Sequence, residues 1–201
     1  MKPRELAVTG AFEFVPETYP DDRGFFVSPY QEAAFAEAVG HPLFPVAQAS
    51  QSTSRRGVVR GVHYTLAPPG TAKYVYCTRG RALDLVVDLR VGSPTFGRWD
   101  QLELAGDTCR SVYLPPGVGH AFAALEDDTV VCYLLSQEYQ SRNELAVSVF
   151  DAEIGLILPS GAEPILSERD LLAPTLSGAA ERGLLPRYEA CLAVEKGFPR
   201  S

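Results

Sequence analysis

Residues 73–89 read KYVYCTRGRALDLVVDL: two short runs rich in Val, Tyr and Leu, Lys73 to Thr78 and Ala82 to Leu89, joined across an Arg79-Gly80 bend. Side chains of this kind suit a pleated, half-buried surface, and a Gly-bearing bend of this length punctuates strands. The same texture runs from about Leu6 to Pro186. Gln101 to Leu104, Ser111 to Leu114 and Thr129 to Leu135 (TVVCYLL) repeat it, with APPGTA, VGSPTFG, AGD and PPGVG between the runs. Strands at such regular spacing predict an antiparallel sandwich or barrel, because a parallel sheet needs a helix between most neighbours. The expected fold class is therefore mainly β, with a jelly-roll sandwich or barrel as its natural architecture. Helical signals are confined to Gln31 to Val39 (QEAAFAEAV) and to SERDLL and LSGAAERGLL in the C-terminal third, where they should flank the barrel.

At 201 residues, with 46% hydrophobic and 21% charged residues, the chain has the composition of a soluble globular domain. No repeat or linker divides it, so we expect one domain over residues 1–186 followed by a C-terminal tail, 187–201. Eighteen basic against 25 acidic residues give a net charge of -7. That balance argues against a nucleic-acid polymer as partner, and a phosphate-bearing small ligand would need a local cluster of cations. Cys77, Cys109, Cys132 and Cys191 are scattered without a CxxC pair, as expected of reduced thiols. MKPRELAVTG lacks the apolar core of a signal peptide and no stretch approaches 18 apolar residues, so the expected location is the cytoplasm, away from the membrane.

The chain has three histidines, His41, His63 and His120, and the last two sit where a strand meets a Gly-rich bend. His41, in an irregular GHPLFP stretch, reads as structural. In Arg60-Gly61-Val62-His63, strand alternation puts His63 on the face of Gly61 and Arg60 on the other, unless a bulge re-aims them. His63 also precedes Lys73; a histidine between cations is kept neutral more readily, and neutral imidazole is what a general base requires. A metal centre is not expected: there is no HxH pair and no motif-spaced carboxylate.

Five blocks add specificity: Asp22-Arg23-Gly24-Phe25-Phe26, Arg60-Gly61-Val62-His63-Tyr64, Pro68-Pro69-Gly70-Thr71-Ala72-Lys73, Val87-Asp88-Leu89-Arg90 with Gly92-Ser93-Pro94-Thr95-Phe96-Gly97, and Gly117-Val118-Gly119-His120-Ala121-Phe122. In this order they resemble the dTDP-4-dehydrorhamnose 3,5-epimerase family, and the likeness continues through Tyr133, Tyr139 and Leu166-Ser167-Glu168-Arg169-Asp170. It is nearest to the 5-epimerases of vancosamine-type deoxysugars in antibiotic pathways. The resemblance implies a cupin-type jelly roll, a homodimer whose subunits exchange strands, and no metal or dissociable cofactor. The implied substrate is a dTDP-linked 4-keto-6-deoxyhexose, epimerised at C5 through an enolate, with inversion at both C3 and C5 or at C3 alone as alternatives.

Carried over by residue, the resemblance makes His63 the base, Asp170 its orienting carboxylate and Tyr133 the acid on the opposite sugar face; an enolate must be stabilised where its charge develops, and Lys73 is the expected donor to its oxygen. Arg23, Arg60 and His120 would bind the pyrophosphate and sugar oxygens, Tyr139 would stack on thymine, and Glu144 and Arg169 match further binding positions. Two departures stand out. Ser28 occupies a position typically Glu in the rhamnose-pathway enzymes, and Gln48-Ala49-Ser50 replaces their typical Gln-Asp-Asn. Shorter polar groups there point to a sugar with altered substituents and to inversion at C5 alone. Two other functions share many of these motifs: a ketoisomerase on the same fold, against which Tyr133 argues, and a non-catalytic sugar-binding cupin.

Overall fold

The computed structural model describes residues 1–161 and 163–198. Its strands are β1 (Lys2–Glu5), β2 (Phe12–Val15), β3 (Thr18–Asp21), β4 (Gly24–Val27), β5 (Gln48–Ser54), β6 (Val59–Thr65), β7 (Lys73–Arg79), β8 (Arg81–Asp88), β9 (Trp99–Ala105), β10 (Ser111–Leu114), β11 (Val118–Ala124), β12 (Thr129–Leu135) and β13 (Glu144–Ala146). Helices are short: α1 (Glu32–Val39), α2 (Glu168–Leu171), α3 (Leu176–Glu181) and α4 (Tyr188–Lys196). The strands form two antiparallel sheets facing each other, one ordered β1-β2-β10-β7-β12-β5 and one ordered β13-β6-β11-β8-β9, with β3 and β4 as a separate hairpin. This is the jelly-roll sandwich expected from the strand spacing.

Period-two alternation explains how each strand serves two layers of packing. Val75, Cys77, Val112 and Val131 of the six-stranded sheet meet Val86, Leu102, Leu104 and Phe122 of the five-stranded sheet in the central core. The intervening residues face outward yet are also covered. Tyr74 and Tyr113 pack under Phe35 of α1 and Phe44, while Leu85, Val87 and Ala121 pack under Val147, Ile154, Leu176 and Ala179. With both faces buried, the near-continuous apolar run in Ala82 to Leu89 follows. Burying a side chain of this size stabilises by roughly 1.5–3 kcal/mol.

Ser167 caps α2 by accepting from the Asp170 N–H, and Thr175 caps α3 by accepting from the Gly178 N–H. Beyond residue 186, where the sequence places a tail, α4 buries Cys191 and its Glu195 accepts a hydrogen bond from Tyr113 Oη at 2.7 Å. Residues 199–201 of that tail lie outside the described residues. All four cysteines are free, Cys77, Cys109 and Cys191 buried and Cys132 partly so. No helix among the described residues is long and apolar enough to cross a membrane.

Candidate active site

Between the sheets opens a cavity of about 560 Å³. Its wall begins at β6, whose pairing with β11 is irregular: His63 lies opposite His120, yet Arg60 lies opposite Phe122, so three steps on β6 match two on β11. The extra residue is a bulge. Gly61 sits in it at φ +115°, and a Cβ there would stand 2.4 Å from the His120 carbonyl oxygen and 2.7 Å from Ala121 Cα. Glycine is required by both the backbone angle and the close approach. The bulge cancels the alternation that would separate Arg60 from His63, and both line the cavity.

His63 Nε2–H donates to Asp170 Oδ1 at 2.6 Å across 107 residues of sequence. Asp170 is 2% exposed. Burial pushes its carboxyl pKa up, but the His63 hydrogen bond and charge, the Gly61 N–H at 3.4 Å and a hydrogen bond from the Ser167 hydroxyl outweigh this and leave it below the ordinary carboxylate value. A carboxylate fixed in this way holds the proton on Nε2 and leaves Nδ1 as the basic nitrogen, the division of labour seen in acid–His pairs.

Tyr133 stands on β12 of the opposite sheet, packed edge-on against His120 with ring centroids 6.0 Å apart. Burial raises its phenol pKa well above the usual value, so Tyr133 carries its proton throughout the neutral range. Its hydroxyl lies 3.5 Å from Ser52 Oγ. Lys73, 7% exposed, faces Glu144 with Nζ 3.7 Å from Oε1. Arg60 donates to Ser54 Oγ and the Thr53 carbonyl, and Gln48 bridges the wall to the loop above it, donating to Ser50 and accepting from the Tyr139 N–H at 2.8 Å. His63 on β6 and Tyr133 on β12 thus stand on different sheets, and both line the same cavity.

With that geometry in hand, similarity to known proteins is decisive. Residues 5–178 match the family model described as dTDP-4-dehydrorhamnose 3,5-epimerase. The chain belongs to this family. A Streptomyces niveus relative named dTDP-4-dehydrorhamnose 3-epimerase is 47% identical over 99% of this chain and 95% of its own, and a Mycolicibacterium smegmatis dTDP-4-dehydrorhamnose 3,5-epimerase is 47% identical over 100% and 98%. Among solved structures, NovW, a 4-keto-6-deoxy sugar epimerase from the novobiocin gene cluster of Streptomyces spheroides, superposes with TM-score 0.91 at 47% identity, covering 95% of each chain. ChmJ, a 3'-monoepimerase from Streptomyces bikiniensis solved with dTDP-quinovose, gives TM-score 0.91 at 42% identity, covering 98% of each.

Of the residues singled out in this epimerase-family chain, the fold brings His63, Lys73, Tyr133, Arg60, His120, Gln48, Ser50, Tyr139 and Glu144 to one cavity, with Asp170 behind His63. Arg169 lines a smaller recess behind His63 and donates to the Glu144 carbonyl at 2.8 Å. Arg23 and Ser28 are elsewhere. Arg23 projects from the β3–β4 hairpin, its side chain 90% exposed and paired with Asp21. The sequence reading missed Asp84: its Oδ2 accepts from His120 Nε2 at 2.7 Å, while its Oδ1 is buried without a partner among the described residues. The signal available was its place in ALDLVVDL, an acid inside a buried strand. Arg142, also on the cavity wall, was not singled out either. Among the described residues no group of three or more His, Cys, Asp and Glu is placed to hold a metal ion.

Proposed function

We propose that the chain epimerises a dTDP-linked 4-keto-6-deoxyhexose at C5, in deoxysugar biosynthesis for an antibiotic, using side chains alone. His63 Nδ1 removes the proton on the carbon beside the ketone. The C–H electrons move into the ring, the carbonyl π electrons move onto oxygen, and the resulting enolate oxygen is met by the Lys73 ammonium. Tyr133 then delivers its proton to the other face of the same carbon as the carbonyl re-forms. Asp170 stabilises the imidazolium meanwhile, and exchange with water resets both groups. Arg60 and His120 hold the diphosphate and sugar oxygens, with Tyr139 against the base.

The observation that carries this proposal is the placement of His63 and Tyr133 on opposing sheets of one cavity. Inversion needs an acid where the base cannot reach. A second reading, inversion at C3, is favoured by the names of two relatives, a 3-epimerase and a 3'-monoepimerase. Incubation with a dTDP-4-keto-6-deoxy sugar in deuterated water, read by NMR, separates them: deuterium at C5 supports the proposal, deuterium at C3 alone supports the second reading, and nucleotide-sugar binding without exchange leaves only a binding module.

The same proposal includes a homodimer. The β3–β4 hairpin exposes Tyr19, Phe25 and Phe26, Phe26 at 68%, together with Arg23. Covered by a second copy, that apolar surface would be buried and Arg23 could reach the neighbouring cavity. Light scattering should give twice the chain mass, and Arg23→Ala should weaken nucleotide binding. We place the enzyme in the cytoplasm, where free thiols such as its four persist.

A further inference from the structure

We infer that Arg142 is a second arginine clamp on the diphosphate of the nucleotide sugar; the inference rests on the proposed ligand of this cavity. With a net charge of -7, the protein repels a polyanion at long range, so whatever holds a diphosphate must be local. Three long cations line the cavity: Arg60, Lys73 and Arg142. Lys73 already faces a carboxylate, Glu144. Arg60 and Arg142 differ from it in that the structure gives each only neutral oxygen acceptors among the described residues, Ser54 Oγ and the Thr53 carbonyl for Arg60, the Gln140 amide oxygen for Arg142. Two guanidinium charges without an acid thus border one cavity, the complement of a diphosphate.

The loop carrying Arg142 is built to aim it. Gln48 Oε1 fastens the loop at the Tyr139 N–H, and Arg169 fastens it at the Glu144 carbonyl. Between those ties, Gln140 Oε1 accepts from Arg142 Nε at 3.3 Å, from Arg142 Nη2 at 3.1 Å and from Asn143 Nδ2 at 3.2 Å. A guanidinium held along one edge keeps its remaining N–H groups free as a planar fork, the geometry that grips phosphate oxygens. Tyr139, three residues earlier on the same loop, lines the cavity too, so nucleobase and diphosphate would be gripped by adjacent residues of one short segment.

Calorimetry on the full chain with thymidine, dTMP and dTDP tests this. Arg142→Ala should weaken dTDP roughly three- to tenfold, the range for an exposed charge-assisted contact. It should leave thymidine within about twofold and flatten the salt dependence of dTDP binding, because one counter-charge is lost. Arg142→Lys should recover part of the affinity. Arg79→Ala, remote from the cavity, changes net charge equally and should leave dTDP affinity unchanged. With substrate, the Arg142→Ala loss should fall mainly on KM. The inference is overturned if Arg142→Ala binds dTDP as tightly as wild type, if thymidine weakens in parallel with dTDP, or if Arg79→Ala weakens dTDP as much. Failure of the wild-type protein to bind dTDP at all overturns the proposed function itself, and this inference with it.

Discussion

Replacing Asp170 by Asn removes one negative charge from behind His63 while keeping almost the same shape, in a position 2% exposed and 2.6 Å from Nε2. In the proposed mechanism the carboxylate acts most strongly when His63 carries the abstracted proton. Two unit charges about 4 Å apart at an effective dielectric near 20 attract by about 4 kcal/mol. Because an amide oxygen can still accept from Nε2–H, part of that is retained, and the net cost to proton abstraction should be about 3–4 kcal/mol. At 1.36 kcal/mol per decade this is a fall of roughly 10²–10³ in kcat/KM. Should the amide nitrogen turn towards the ring instead, the proton is forced onto Nδ1 and the loss is larger. The assay is deuterium incorporation in the dTDP-4-keto-6-deoxy sugar, beside calorimetric dTDP affinity, which should change less than about twofold because Asp170 does not line the main cavity. Near-normal exchange, within about threefold of wild type, would refute the dyad as the source of basicity; a loss accompanied by a collapse in thermal stability would assign Asp170 a structural role only.

Three further outcomes follow from the same geometry. Tyr133→Phe should keep deuterium exchange on the His63 face but slow net inversion by about 10²-fold or more; equal loss of both, measured on one sample, would place Tyr133 outside the acid role. Gly61→Ala forces a Cβ into the backbone of the adjoining strand, 2.4 Å from the His120 oxygen, at φ +115°. It should cost about 3 kcal/mol and lower Tm by roughly 6–12 °C; an unchanged melting curve refutes the bulge. For Asp88, burial raises the carboxyl pKa but Arg90, Ser93 and Thr95 lower it further, so its folded value lies below its unfolded value near ~3.9. Stability from such a group is present above the unfolded pKa and is lost as pH falls through the folded one. The stability gap between wild type and Asp88→Asn, from denaturant melts, should be complete at pH 7 and narrow below about pH 4; a constant gap down to pH 3 contradicts the assignment.

The strands that carry large apolar side chains were legible in the chain itself. Ser111–Leu114 and Thr129–Leu135 fall where the apolar runs place them, and α1 covers eight of the nine residues from Gln31 to Val39. β5 was not. QASQSTS contains nothing apolar beyond one alanine, because it lies at a sheet edge and lines a cavity instead of a core. Its outward residues meet solvent and its inward ones, Gln48, Ser50, Ser52 and Ser54, meet Tyr133, Arg60 and the ligand space. A strand that is polar on both faces has no period-two signal to read. For the same reason the acid in ALDLVVDL stayed hidden: alternation alone cannot tell which face of a doubly buried strand opens onto a cavity, and Asp84 acquires meaning only once His120 is seen beside it.

The two departures from the rhamnose-pathway pattern, Ser28 and Ser50, looked equivalent along the chain and are not equivalent in space. Ser50 lies opposite Tyr133 in the sheet, lines the cavity and takes a hydrogen bond from Gln48, so a shorter side chain there enlarges the space beside Tyr133. Ser28 follows the β3–β4 hairpin, off the cavity wall, in company with Arg23. In the proposed homodimer, whatever Ser28 and Arg23 contribute would be delivered across the contact between two copies, whereas Ser50 lines the cavity of a single chain. On that proposal, substituent preference and oligomeric state would be coupled through the hairpin but separable at Ser50. The expectation of an altered sugar accordingly rests first on β5, where one chain sets the pocket shape, and on the hairpin only in the proposed dimer.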